Sequence, residues 1–470
     1  MNKSKYIILP AFFLYLILTG LLLIFNNYSI SFLVPLSALC YGICFILIYI
    51  KKPLAFNSIT ILIIIALSFF RMVFIPTIYV LAGYKSTIVS SAGTDYLNEA
   101  VLLLVFEMLS FTLMVLSSNK ISKINIYNCN FKQTNLHIFV KIIVLSLLFI
   151  GVICILIDKN VLAIISTIFN RFTATTEMNI ERRRIFLITR ENSTIVFELF
   201  FQVVFYLQIL IPAILVSVAV HKKMNIQDED KGLLLAILAC FVSVIFVTDN
   251  NIDSVCILIA CLIVLYFAYK SRLEKYLPIG ILVGISFILI FLFAKDGMLS
   301  SEGIKLSELS STLCAYFASL PNISCSFAMN YSDKFKTFFG DIVSGIPYMI
   351  AFFKGYPQSL TIFNNTAYGF SGITDQIMPL ISYGYQFLGI FAPFFTIIVY
   401  NIALSFEIEY RKTSITFNKV LFALMFVNMS IGPSIFGFPN TIRRLCYYIP
   451  LLIIIYLNNR LEKNNKIESW

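Results

Sequence analysis

Runs of roughly 20 mainly apolar residues, the length that crosses the hydrocarbon core of a bilayer, recur along the chain with short polar connections between them. They fall at 6–26, 30–50, 58–82, 98–117, 137–157, 195–220, 232–248, 253–269, 277–294, 384–405, 417–436 and 445–457. In hydrocarbon every backbone N–H and C=O must be satisfied within the segment, which restricts such runs to helices. The pattern therefore predicts an all-α, polytopic membrane protein with about 12 transmembrane helices. Charge agrees, because only 13% of the 470 residues are charged, about half the share of a soluble domain. The run from Tyr6 to Phe25 follows Lys3 and Lys5, as in a signal peptide. It is longer than the usual apolar core and has no A-x-A site, so it reads as the first membrane helix.

Lysine and arginine orient the runs. Lys3/Lys5, Lys51/Lys52, Lys120/Lys123/Lys132, Lys222/Lys223, Lys270/Arg272/Lys275, Arg411/Lys412 and Arg460/Lys463 occupy alternate connections. By the positive-inside rule those connections and both termini are cytoplasmic. The net charge of +11 thus serves topology, and no nucleic-acid partner is expected. The organisation reads as transmembrane helices in 1–157, an extracytoplasmic loop at 158–194, helices in 195–294, a second extracytoplasmic loop at 295–383, and helices with a cytoplasmic tail in 384–470.

The two enlarged loops are where chemistry is sought, since long connections are usually functional. The first holds Arg171, Arg182, Arg183, Arg184 and Arg190 with Glu177, Glu181 and Glu191. Outward arginines run against the topological tendency and suit bidentate phosphate binding. Glu–Arg pairing along a solvated helix is the alternative. Arg443 and Arg444, on the outer side just before the last run, mark a polar pathway or snorkel to headgroups. The second loop has no arginine but many tyrosines. It carries two apolar stripes at helical spacing, Leu306/Leu309/Leu313/Phe317/Leu320 and Phe335/Phe338/Phe339/Ile342/Val343/Ile346, with Ser332 as an N-cap for the latter. They are expected to lie on the membrane surface or pack on the bundle, with one of them a re-entrant or extra span as the alternative. For glycosyl transfer, which benefits from a general base, Asp375 ranks first, and Glu177, Glu181 and Glu198 are alternatives.

The ten cysteines form no CxxC pair and read as buried thiols; Cys314 and Cys325 are the one pair able to bridge outside the cytoplasm. The two histidines, His137 and His221, fall on the inner side, so no metal cluster is expected outside. No HExxH, GxSxG or phosphate-loop motif occurs. No cofactor is expected.

The spans, the two enlarged outer loops, the outward arginines and the Lys/Asn/Ile-rich composition resemble the bacterial repeat-unit polymerases of O-antigen and capsule (Wzy-like). Ser371-Gly372-Ile373-Thr374-Asp375-Gln376-Ile377-Met378-Pro379, followed by Tyr383-Gly384-Tyr385, is similar to a recurring stretch in that family. The resemblance implies a glycosyltransferase of the bacterial cytoplasmic membrane. Its substrate is a polyprenyl-pyrophosphate-linked oligosaccharide, with membrane lipid, a chain-length regulator and a flippase as partners. The outward arginines would hold pyrophosphate, Asp375 would accept the acceptor sugar's proton, and Gln376 and Tyr383 would contact substrate. The family often has arginine in both loops; here the second has none, and Arg443 and Arg444 are the substitutes. A lipid-linked oligosaccharide flippase and an O-antigen ligase are the rival expectations. The ligase typically uses a histidine in its large outer loop, which this chain lacks.

Overall fold

The computed structural model describes residues 5–126, 130–131, 138–158, 161, 195–224, 229–245, 251–269, 299–300, 303–304, 306–349, 355–369 and 376–467. Their regular structure is helical, apart from an antiparallel pairing of Leu299–Ser300 with Gly303–Ile304. The longer helices are α1 (Lys5–Phe25), α2 (Val34–Lys51), α3 (Ile59–Leu81), α4 (Leu97–Ser117), α5 (Ile138–Ile157), α6 (Ile195–Met224), α7 (Glu229–Ile245) and α8 (Asn251–Ala268). They continue as α9 (Leu306–Phe317), α10 (Leu320–Phe327), α11 (Lys334–Gly345), α12 (Ser359–Tyr368), α13 (Leu380–Leu388), α14 (Pro393–Lys412), α15 (Thr416–Ile435) and α16 (Phe438–Ile467).

Among the described residues six helices are long and apolar enough to cross a membrane: α2, α3, α4, α5, α6 and α15. The stretch Leu380–Phe391 with α14 makes a seventh if counted as one span, although it bends by 116°. Exposure supports the membrane reading. In α5 only 17% of the apolar window is buried, and Leu145, Phe149 and Leu156 face outward. A water-soluble surface does not carry that much contiguous apolar area. The protein is a helical membrane protein.

Several expected spans change on inspection. The run 384–405 is not one straight helix: Gly389, at φ 58°, and a short 3-10 turn separate α13 from α14. Pro393 then opens α14, where its missing N–H costs nothing. The run 445–457 is the apolar middle of the 30-residue α16. The run 277–294 lies outside the described residues. In α3 the residues Phe70–Phe74 form a π-helical turn just before Pro76.

The chain divides into two units, each assembled from separated segments. One comprises Met1–Ile126, Leu292–Leu404 and Met429–Arg444; the other comprises Tyr127–Phe291, Ser405–Asn428 and Leu445–Trp470. In the first unit, α9 runs antiparallel along α3. Ser310 Oγ donates to Lys85 O (2.8 Å), the Phe317 ring stacks on Phe70 (5.7 Å, 10°), and Ser319 Oγ donates to Arg71 O (3.3 Å). The chain turns at Ala318, which has a φ of 42°, and α10 returns to Ala92, whose carbonyl accepts from Ser324 Oγ (2.7 Å). The 306–320 stripe is therefore not laid on a surface: Leu313 and Leu320 are buried against Ile75, Leu104 and their neighbours, and the hairpin reaches the middle of α3 and leaves on the side from which it came. In the second unit, Phe197, Phe200 and Phe201 of α6 pack against Cys154 of α5.

Helix α11 departs from expectation in which face it hides. Its buried side is Thr337, Gly340, Asp341, Val343, Ser344 and Gly345, while Phe335 is 79% exposed. In a membrane protein an apolar side chain can face lipid, so the face that must be covered is the polar one. The N-cap is Asp333, not Ser332: its carboxylate accepts from Lys336 N (3.0 Å). Cys314 and Cys325 are both free and sit in separate apolar clusters, so they form no bridge.

Candidate functional site

The first unit gathers the polar residues of the second long connection around Phe438, at the start of α16. Pro379 leads the chain into α13 in an extended conformation and places Tyr383 one turn in. The Tyr383 ring stacks on Phe438 (4.2 Å, 16°), and Phe338 and Phe395 flank the pair. Gly384 is required here because a Cβ would drive into the Ala392 carbonyl. Gly345 makes a comparable close approach, its missing Cβ position lying 2.8 Å from Pro439 O. Gly345 thus lets α11 approach α16, and Gly384 lets α13 fold close against the entry to α14.

The buried carboxylate of this cluster is Asp341. It accepts from Ser359 N (2.9 Å) and from Ser359 Oγ, so it caps the first turn of α12 from a neighbouring helix. The Tyr383 hydroxyl faces the same carboxylate without closing a hydrogen bond of regular geometry. Burial raises the Asp341 carboxyl from 3.8 to about 6, and the two Ser359 hydrogen bonds hold it back only in part. Burial also raises the nearby Tyr331 phenol, which therefore stays neutral. Three residues along α11, Ser344 O accepts from Arg443 Nη2 (2.8 Å). A carboxyl that takes up a proton near neutrality has the acid–base character needed to accept one from a hydroxyl.

Four of the residues expected from the sequence fall in this unit. Tyr383 and Arg443 meet α11 as described. Gln376 is buried and acts as a fastener: its backbone N donates to Asn364 Oδ1 (2.8 Å), its side chain donates to Tyr368 OH (3.0 Å), and Asn322 Nδ2 donates to its Oε1 (3.4 Å). That ties α10 to α12. Arg444 is turned inward, with its guanidinium 3.2 Å from the Phe436 ring centroid and Nη1 donating to Asn440 O (3.4 Å). Arg171, Arg182, Arg183, Arg184, Arg190, Glu177, Glu181 and Asp375 lie outside the described residues. Glu198, the remaining carboxylate considered, is buried in α6 of the second unit.

Sequence reasoning passed over Asp341, although Thr337, Asp341 and Ser344 form a polar stripe at helical spacing opposite Phe335 and Phe339. It also passed over a charged pair inside the apolar helices. Arg71, in the π-turn of α3, donates from Nη1 to Glu107 Oε2 of α4 (3.0 Å) and to Ser434 Oγ (3.3 Å). Both side chains are almost wholly buried. The signal was a lone charge in the middle of each run, which in a membrane helix points inward.

Among the described residues no group of three or more His, Cys, Asp or Glu side chains is placed to hold a metal ion. No protein-family model, no curated protein and no solved structure matches the chain.

Proposed function

We propose that the protein is a membrane glycosyltransferase that joins polyprenyl-pyrophosphate-linked oligosaccharide repeat units into O-antigen or capsular polysaccharide. The reaction is placed at the outer face of the bacterial cytoplasmic membrane. The observation that carries this reading is Asp341: a buried carboxyl raised to about 6 in the long connection between apolar helices, with the Tyr383 hydroxyl facing it and Arg443 held on Ser344 O of the same helix. A hydroxyl of the acceptor sugar loses its proton as it attacks the donor's anomeric carbon, and the pyrophosphate lipid leaves with the bonding electrons. Asp341 is the group suited to take that proton. Arginine suits the leaving pyrophosphate, and the outward arginines of 158–194 with Arg443 are the candidates. The topology that goes with this reading has about twelve spans and both termini in the cytoplasm, following the alternation of lysine-rich connections.

The test is a surface-glycan gel of the source strain with the gene deleted, then restored as wild type or as Asp341→Asn. The expected result is a collapse of long chains to single repeat units on deletion, repaired by wild type and not by a well-expressed Asp341→Asn. Long chains restored by Asp341→Asn would overturn the role of that residue. Loss of all surface glycan, with lipid-linked units accumulating inside, would identify a flippase and overturn the reading as a whole.

A further inference from the structure

At the far end of α12 from Asp341, the first unit holds an open cleft of about 620 Å³, within the range of ligand sites. One wall is the connection from Tyr84 to Thr94, and the other is the first two turns of α9. The walls are built rather than loose. Val89 N and Ser90 N both donate to Ala367 O (3.1 Å), Ser310 Oγ donates to Lys85 O (2.8 Å), and Tyr84 OH donates to Asn26 Oδ1 (2.8 Å). Tyr84 is held at a φ of 61°, a left-handed conformation that a non-glycine residue rarely adopts.

Hydroxyl residues line the cleft, Ser86, Ser90, Ser91, Thr94, Ser307 and Ser311, with Ile88 and Val89 adding apolar surface. Ser86 Oγ accepts from Ile88 N (3.3 Å) and Thr94 Oγ1 donates to Ser91 O (3.0 Å), so the backbone orients these hydroxyls, while the Ser90 hydroxyl is enclosed. Each hydroxyl can donate and accept, which is the character of the ligand such a wall fits. An apolar ligand would strip the exposed hydroxyls of water without replacing those hydrogen bonds. The charged residues at the wall are Lys85 and Glu308, which together present no net charge to an anion, and arginine, the residue suited to phosphate, is absent from it. An uncharged polyol such as a sugar satisfies all of these conditions.

We propose that this cleft binds the sugars of the oligosaccharide substrate distal to the reacting one. The assignment rests on the glycosyltransferase reading above. Its geometry follows from α12, whose Ala367 carbonyl sits at the cleft wall and whose Ser359 sits on Asp341. Eight residues of helix separate them, about 12 Å along the axis. That spacing suits sugars lying further along the chain than the one whose hydroxyl reacts, so a complete repeat unit is favoured over a single sugar.

The experiment is isothermal titration of the purified full-length protein in detergent. The probe is the repeat-unit oligosaccharide released by mild acid from the source strain's lipid carrier. Two variants are compared with wild type: Ser311→Trp, which fills the cleft, and the triple variant Ser86→Ala/Ser91→Ala/Ser307→Ala, which removes hydroxyls with little change in volume. The expected result is binding by wild type and a dissociation constant raised about tenfold or more in both variants, with thermal melting retained in the triple variant. Wild-type affinity in the triple variant, or no binding by a wild-type protein that restores long chains in the deletion strain, overturns the cleft while the polymerase reading stands. Binding lost in the variants of a protein that fails the deletion test keeps the cleft and removes the polymerase.

Discussion

With its carboxyl raised from 3.8 to about 6 by burial, Asp341 gives up its proton only as the pH approaches neutrality. The consequences for folding and for chemistry have opposite signs. Between the unfolded and folded values the folded chain holds a proton that the unfolded chain has released. Its contribution to stability is therefore fully present below about 4 and is lost as pH rises through about 6. A proton acceptor must be ionised, so polymer formation in isolated membranes should rise through about 6 and level off above it. Asp341→Asn should abolish that activity, yet melt in detergent at pH 8 no lower than wild type, because it removes a poorly solvated charge and its Oδ1 can still accept from Ser359 N. An active Asp341→Asn, or an acid limb far from 6, would contradict the assignment. Arg71 and Glu107 behave differently, since each is the other's counter-charge in an apolar interior. Arg71→Met or Glu107→Gln alone should cost about 3–5 kcal/mol, read as a large fall in melting temperature, and the double variant Arg71→Met/Glu107→Met should recover most of it. Single variants that melt like wild type would show the pair to be energetically idle.

Helices α13 and α14 meet at a corner that depends on one missing side chain. A Cβ at Gly384 would occupy the space of the Ala392 carbonyl, which is backbone and cannot step aside. Gly384→Ala should therefore lower the melting temperature and, by displacing Tyr383 from Phe438, reduce polymer formation. Gly432→Ala is the control, as its nearest neighbour is the Phe436 ring at an ordinary 3.5 Å. Equal melting of the two variants would remove the corner from the account. The same elements show what a sequence discloses. Helices α2 to α6 and α15 were legible because a span announces itself by composition alone, one residue at a time. The corner was not, because 384–405 is apolar on both sides of the break and only Gly389 and Pro393 hint at it. Helix α11 was legible as a helix but not in its orientation, since period says which residues share a face and not whether that face meets lipid or protein. Asp341 needed a third element to stand out, because Ser359, which makes it a buried cap, is 18 residues away. Arg71 and Glu107 lie in different runs, 36 residues apart, and each alone reads as a blemish in an apolar stretch.

At the scale of the whole chain, the two units draw on segments from both halves of the sequence, so sidedness has to be consistent over the full length for any site to assemble. The hydroxyl-lined cleft begins at Tyr84 and Asp341 lies some 250 residues later, yet one substrate must reach both. Six apolar runs separate Ser86 from Lys336, at 98–117, 137–157, 195–220, 232–248, 253–269 and 277–294, whereas one, 58–82, separates Lys51 from Ser86. An even number returns the chain to the same face and an odd number takes it to the other. In a variant with all ten cysteines replaced by serine, single cysteines at Ser86, Lys336, Lys51 and Lys412 report this directly. A membrane-impermeant maleimide added to intact cells should label Ser86→Cys and Lys336→Cys, and should reach Lys51→Cys and Lys412→Cys only after the membrane is opened. Labelling of Ser86→Cys without Lys336→Cys would mean an odd number of crossings between them. The cleft and the carboxylate would then open to different sides of the membrane, and no single glycan could use both.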